Sequence, residues 1–210
     1  MLHSALQANW VACSAHCGLH DEGGRLYAKL IAAWSEPHRH YHTLQHLGEC
    51  LTALDAYGQD TTYSTEIAMA LWFHDAIYNV HAHDNELRSA AWAHTALVEK
   101  GASSEQAERV SRLVLATQHS AAPADDEARL IVDIDLAILG ARPDRFTEYE
   151  KQIRAEYAWV SEDIYRLKRS EVLQGFLARR YIYSTVPFQA LYEHTARRNL
   201  QAAIDQLGTD

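Results

Sequence analysis

Leu71-Trp72-Phe73-His74-Asp75 is an apolar run that ends in an imidazole and a carboxylate, side chains that bind divalent metal ions or move protons. Successive residues of an α-helix project about 100° apart, so these two donors cannot form the same-face pair that an i, i+4 spacing gives. If both serve one metal, the ion lies over the end or flank of their helix and other elements complete its surroundings. The candidates are His38, His40, His42 and His46 upstream, and His119, Asp133 and Asp135 downstream. The set carried by three separate helices is His46, His74 with Asp75, and one aspartate of Val132-Asp133-Ile134-Asp135. Imidazole and carboxylate without thiolate suit Mn, Fe, Co, Ni, Zn or Mg, and the residue types do not choose among these ions.

The elements that position these donors have helical rather than alternating periodicity throughout. Leu2, Leu6, Trp10 and Cys13 mark a first helix stopped near Gly18, and Leu26, Leu30, Ile31 and Trp34 a second that ends before Pro37. Leu44, Leu47, Leu51 and Leu54 give a third, with His42 at its entrance, His46 in its first turns and Gly58 at C′. The fourth starts near Ser64 and runs into His74-Asp75, after which residues 77–84 read as a loop. A fifth covers about 84–100 and ends at Gly101, and the capping-box pattern Ser103-x-x-Gln106 opens a sixth through to Thr117. After the polar stretch 120–126, Leu130, Ile131, Ile134 and Ile138 give a seventh ended by Gly140. Pro143 suits the first turn of an eighth. A ninth covers about 162–180, and a tenth about 188–207 after Pro187. The expected architecture is a single all-α bundle over 1–210, with its metal-site core at about 41–140 and C-terminal helices at 143–207 packing on the cleft and covering it.

Length and composition agree with such a core. The chain has 210 residues, 48% of them hydrophobic, with five Trp and eleven Tyr, which describes a packed globule. A formal charge of −9 without a basic run argues against a general nucleic-acid-binding surface, while leaving room for a small phosphorylated ligand. Cys13, Cys17 and Cys50 form no CxxC pair and read as reduced core thiols. With no basic n-region at the N-terminus and no apolar run long enough to span a bilayer, the expectation is a soluble, unprocessed, cytoplasmic protein with no membrane partner. The oligomeric state stays open.

The order His46, His74-Asp75 and a distant Asp followed by Leu resembles the HD superfamily of metal-dependent phosphohydrolases. Tyr41-His42-x-x-x-His46 is similar to the YHNxxH segment of the helical cyclic-nucleotide phosphodiesterases, with Thr43 where that segment has Asn. Phe73-His74-Asp75-x-x-Tyr78, Asp84-Asn85-Glu86-x-x-Ser89-Ala90 and Asp133-x-Asp135-Leu136-x-x-Leu139-Gly140 resemble a bacterial group of predicted HD phosphohydrolases. The resemblance implies an HD-type helical domain whose divalent ion is held by His46, His74, Asp75 and Asp135, since Asp135 rather than Asp133 is followed by Leu. It implies that Asp75 also contacts the nucleophile and that His42 protonates the leaving group, while Glu86 can orient or deprotonate water. It places His119 where two-metal relatives carry extra histidines, but those relatives use two and His94 is a poor second, so one ion per chain is expected. Asp133 then orients a ligand or binds solvent. The implied activity is hydrolysis of a phosphate ester of a small, nucleotide-like substrate, monoester and diester not being distinguished. Alternatives are an HD-type di-iron oxygenase and a non-catalytic metal or ligand sensor.

The remaining residues have plain readings. His38, His40, His81 and His83 read as loop or surface histidines, and His3, His16, His20 and His194 suggest no partner. Tyr and Trp at helical spacing read as core. Among Arg88, Lys151, Arg154, Arg179, Arg180 and Arg197, Arg154 is the favoured phosphate contact, because a guanidinium offers a bidentate fork and this one follows the metal-site helix.

Overall fold

The computed structural model describes residues 2–59, 61–119 and 122–208, so positions 120 and 121 of the polar stretch lie outside it. Among the described residues every regular element is helical, as expected: ten α-helices and two short 3-10 segments, with no strand. None of these helices is long and apolar enough to cross a membrane. The chain divides into two compact units, Met1–Val132 and Asp133–Asp210.

The first unit contains α1 (Leu2–His16), a 3-10 turn (Glu22–Gly24), α2 (Arg25–Ala33), α3 (Leu44–Tyr57), α4 (Ser64–Phe73), α5 (Asn85–Glu99), α6 (Ser104–Ala116) and most of α7 (Asp126–Asp135). Its centre is α4. Every residue from Glu66 to Phe73 is buried, so the helix has no solvent stripe and packs on α1, α3, α5 and α6 around its circumference. The aromatic rings of Trp10 and Tyr27 meet Trp72 edge-on at 5.3 and 5.8 Å. Trp34 Nε1 donates to the Trp72 carbonyl and Trp72 Nε1 donates to Asn9, each at 2.9 Å, so the last turn of α4 is fixed from two sides.

Local sequence explains most boundaries. Thr43 accepts from the Gln45 N–H at the start of α3, and Ser103 with Gln106 forms the capping box read from the sequence. Asp21 accepts from the first N–H groups of α2 at Leu26 and Tyr27. Gly58 is one position earlier than expected: it is the cap residue of α3, with φ −96°, and its N–H bonds the Leu54 carbonyl.

The second unit holds the end of α7, a 3-10 segment (Leu136–Gly140), α8 (Pro143–Glu156), α9 (Glu162–Leu177) and α10 (Val186–Gly208). The expected seventh helix does not run as one α-helix to Gly140. It tightens after Asp135 because side chains distant in sequence claim its carbonyls: Tyr183 Oη donates to Leu136 O at 3.1 Å, and Asn199 Nδ2 to Leu139 O at 2.9 Å. α9 stops at Leu177, earlier than expected, where Arg197 donates to the carbonyls of Leu177, Arg179 and Arg180. α10 packs on α9 and on the 3-10 segment. A Cβ on Gly140 would stand 2.6 Å from Tyr192 Cβ, so only glycine permits that approach.

Candidate metal centre

His74 is the C-cap of α4 and only 1% exposed. Its Nδ1 lies 2.8 Å from the Leu71 carbonyl, which can only accept. Nδ1 therefore carries the hydrogen, and in the neutral ring Nε2 presents its lone pair. That lone pair faces Asp75 Oδ2 at 3.0 Å and His46 Nε2 at 3.2 Å. His46, from the first turns of α3 and 2% exposed, stands 3.8 Å from the same carboxylate oxygen. Its Nδ1 is 3.0 Å from the Tyr41 hydroxyl, a partner that fixes the ring and lets Nε2 face inward.

In that tautomer His74 Nε2 and Asp75 Oδ2 face each other acceptor to acceptor, and His46 Nε2 joins them as a third acceptor when its Nδ1–H donates to the Tyr41 hydroxyl, an arrangement completed by a proton or a cation lying between. Two donors about 2.1 Å from a common ion stand roughly 3.0–3.4 Å apart, from octahedral to tetrahedral angles. The pairs at 3.0 and 3.2 Å match that spacing, and 3.8 Å corresponds to a wider angle at the same ion. The residues present therefore fit a divalent ion. Cys50, one turn after His46 on α3, is a further buried donor: His46, Cys50 and His74 each offer a ligand atom within 4.8 Å of the others. Its sulfur is almost equidistant from the His46 nitrogens, 3.7 Å from Nδ1 and 3.8 Å from Nε2, so it lies beside the ring rather than on the Nε2 lone-pair axis.

The two segments that flank this centre, 35–43 and 74–84, are irregular and are tied together by side chains. Arg39, its side chain fully buried, donates to the carbonyls of Asp75, Ala76 and His42 and pairs with Glu36. His38 Nε2 donates to the Tyr78 carbonyl at 2.9 Å. Asn85 accepts from Asn79 N and donates to Asn79 O, and Ser89 Oγ accepts from Ile77 N, so the first turns of α5 hold the loop after Asp75 in place. Glu86 lies between them, half-buried, one helical turn before Ser89 and on its face. His42 stacks on Tyr78 with ring centroids 4.2 Å apart and stands 6.0 Å from the His46 ring.

His119, half-buried with φ +53° just beyond α6, is not a member of the donor group, and neither is His94. His3, His16, His20, His38, His40, His81, His83 and His194 are exposed, in keeping with their plain reading.

Within the second unit the two aspartates diverge. Asp133 is 0% exposed, and its carboxylate accepts from Ser184 N, Thr185 N and Thr185 Oγ1 at 2.7–3.0 Å. Burial holds its pKa above the ordinary carboxylate value, opposed by these hydrogen bonds. Its role is to anchor the chain that leads into α10. Asp135 is the half-buried last residue of α7, and its charge, after burial and Glu150, helps push the Tyr149 phenol up. The Arg154 fork is engaged in the α8–α9 connection, donating to Glu162, Tyr157 O and Val160 O while stacking on Tyr165 at 4.6 Å.

The sequence reading missed Arg39 and the donor at Cys50. The i, i+4 spacing of His46 and Cys50 was a usable signal. For Arg39 there was only its position inside a His-rich segment after Pro37. Comparison with protein-family models, curated proteins and solved structures finds no match for this chain.

Proposed function

We propose that this chain is a metal-dependent phosphohydrolase of the HD type, acting on a phosphate ester of a small, nucleotide-like substrate. The observation that carries the reading is the convergence of His74 Nε2, His46 Nε2 and Asp75 Oδ2, with the His74 tautomer set by the Leu71 carbonyl. We assign Asp135 as the remaining ligand: it has the sequence position that the resemblance requires, and its neighbour Asp133 is committed to Ser184 and Thr185. A divalent ion in such a site lowers the pKa of water and neutralises charge on a phosphoryl oxygen. His42, held by the Tyr78 stack, donates the proton to the departing oxygen. Glu86 would orient the attacking water or take its proton, and Asp75 would contact both the ion and that water, as the resemblance implies. One ion per chain is the stoichiometry that the resemblance implies, and a di-iron oxygenase is the weaker reading.

The test is metal analysis of the purified protein followed by a phosphorylated-metabolite screen under several divalent ions. One bound ion, together with a turnover lost in His74→Ala and Asp135→Ala, is the expected result. A protein that binds no divalent ion, or a His74→Ala variant with unchanged metal affinity, overturns the proposal.

A further inference from the structure

We infer that Arg39 is a positioning residue of the metal centre, setting the distance between the His42 segment and the turn that carries His74 and Asp75. The inference rests on the metal-site reading above and deepens it.

A guanidinium has five N–H donors in a fixed plane, and each of the three Arg39 nitrogens donates to at least one acceptor. Nε donates to Glu36 Oε2 at 3.0 Å and Nη2 to Ala76 O at 3.1 Å, while Nη2 also forms an ion pair with the same Glu36 oxygen at 2.9 Å. Nη1 donates to Asp75 O at 2.6 Å and His42 O at 3.2 Å. The group lies against the rings of Trp34 and Tyr78, 5.7 and 5.3 Å from their centroids. A guanidinium whose side chain is fully buried and whose three nitrogens are all engaged within the protein differs from a substrate anchor, which must reach a ligand.

What it does instead follows from the acceptors. Segments 35–43 and 74–84 have no ladder of backbone hydrogen bonds between them, so their separation is not set by secondary structure. Turning the Asp75 carbonyl toward Arg39 fixes the peptide plane after Asp75, and with it the backbone from which the Asp75 side chain leaves. The same nitrogen holds the carbonyl of His42, the proposed proton donor. One planar group therefore fixes both functional residues relative to each other. A lysine carries the charge but presents its donors from a single nitrogen and cannot span the same acceptors.

The test is Mn2+ affinity of the full chain, read from the electron paramagnetic resonance of the unbound ion, at a temperature where circular dichroism shows each variant folded. Arg39→Met is expected to bind about 10–100-fold more weakly, the range seen when a group orienting a ligand is removed. Arg39→Lys falls between it and the wild type, and Glu36→Gln, which loosens one anchor of the fork, shows a smaller loss. Arg109→Met is the control, because Arg109 is a structural arginine of the same unit, 3.9 Å over Tyr63 and paired with Glu105. It lowers the unfolding midpoint and leaves Mn2+ affinity unchanged. Folded Arg39 variants that bind Mn2+ like the wild type overturn the inference. If Arg39→Met does not fold, unchanged affinity in both Arg39→Lys and Glu36→Gln overturns it equally. Should the wild type bind another divalent ion in place of Mn2+, the same comparison is made by calorimetric titration with that ion, and a wild-type protein that binds no divalent ion removes the metal-site reading and this inference together.

Discussion

Two buried polar centres in this protein treat their lone pairs in opposite ways. Around His74 in the first unit, Nε2 and carboxylate atoms face one another at 3.0–3.8 Å. At Asp133 in the second, the carboxylate accepts from donors of Ser184 and Thr185. Both are made of residue types that bind metals, and both are withdrawn from water. The difference lies in what they face: Asp133 accepts from Ser184 N, Thr185 N and Thr185 Oγ1, whereas His74 Nε2 faces the Asp75 carboxylate, a pairing suited to a proton or a cation between them. Burial of an acid is therefore not the mark of a site here. The mark is acceptors turned toward acceptors, held there by hydrogen bonds made behind them.

Perturbing each centre can break this contrast. The largest effect is expected for Asp133→Ala, which leaves three donors at the entrance to α10 without their acceptor and costs about 3–5 kcal/mol in denaturant-unfolding stability. Divalent-ion affinity should remain that of the wild type, and a matching loss of affinity would show that the two centres are not separate in kind. His74→Ala should do the reverse, lowering ion affinity by ~100-fold or more in calorimetric titration while forfeiting the stabilisation that a saturating ion confers, about 2.7 kcal/mol at 100 times the Kd. A variant as strongly stabilised by Mn2+ as the wild type contradicts the assignment.

Gly140→Ala probes the packing behind the second centre. The added carbon meets Tyr192 at 2.6 Å, so a loss of about 1–3 kcal/mol in thermal or denaturant unfolding is expected with no change in ion binding. The smallest effect concerns pH. Burial raises the Asp133 pKa in the folded state, so the folded protein keeps this proton to higher pH than the unfolded chain. The linked stability is fully present below the unfolded value and declines as pH rises through the folded one. Relative to Asp133→Asn, the wild type should lose stability over that interval above about pH 4. A difference between the two proteins that is flat with pH refutes the shift.

How much of this could be read from the chain depends on how far apart the determining residues lie. The capping box of Ser103 and Gln106 is complete within four consecutive residues and was legible, as was the run of apolar residues leading to His74. The all-helical class followed from periodicity alone. The tightening after Asp135 was not legible, because it depends on Tyr183 and Asn199, donors 47 and 60 residues from the carbonyls they bind. The choice between Asp133 and Asp135 had the same difficulty: both are aspartates two positions apart, and only the position of Ser184 and Thr185 shows which one is committed to the backbone. Arg39 was illegible for another reason, since its acceptors are backbone carbonyls, which every residue carries.

The packing of Trp34 has an optical consequence. This indole is fully buried, and its ring stands 5.4 Å from the His74 ring and 6.2 Å from the His46 ring. Imidazolium and paramagnetic ions such as Mn2+ or Co2+ quench indole emission at such short range. The chain therefore contains its own fluorescent gauge of the centre, and Trp34→Phe makes that gauge silent without removing a proposed ligand.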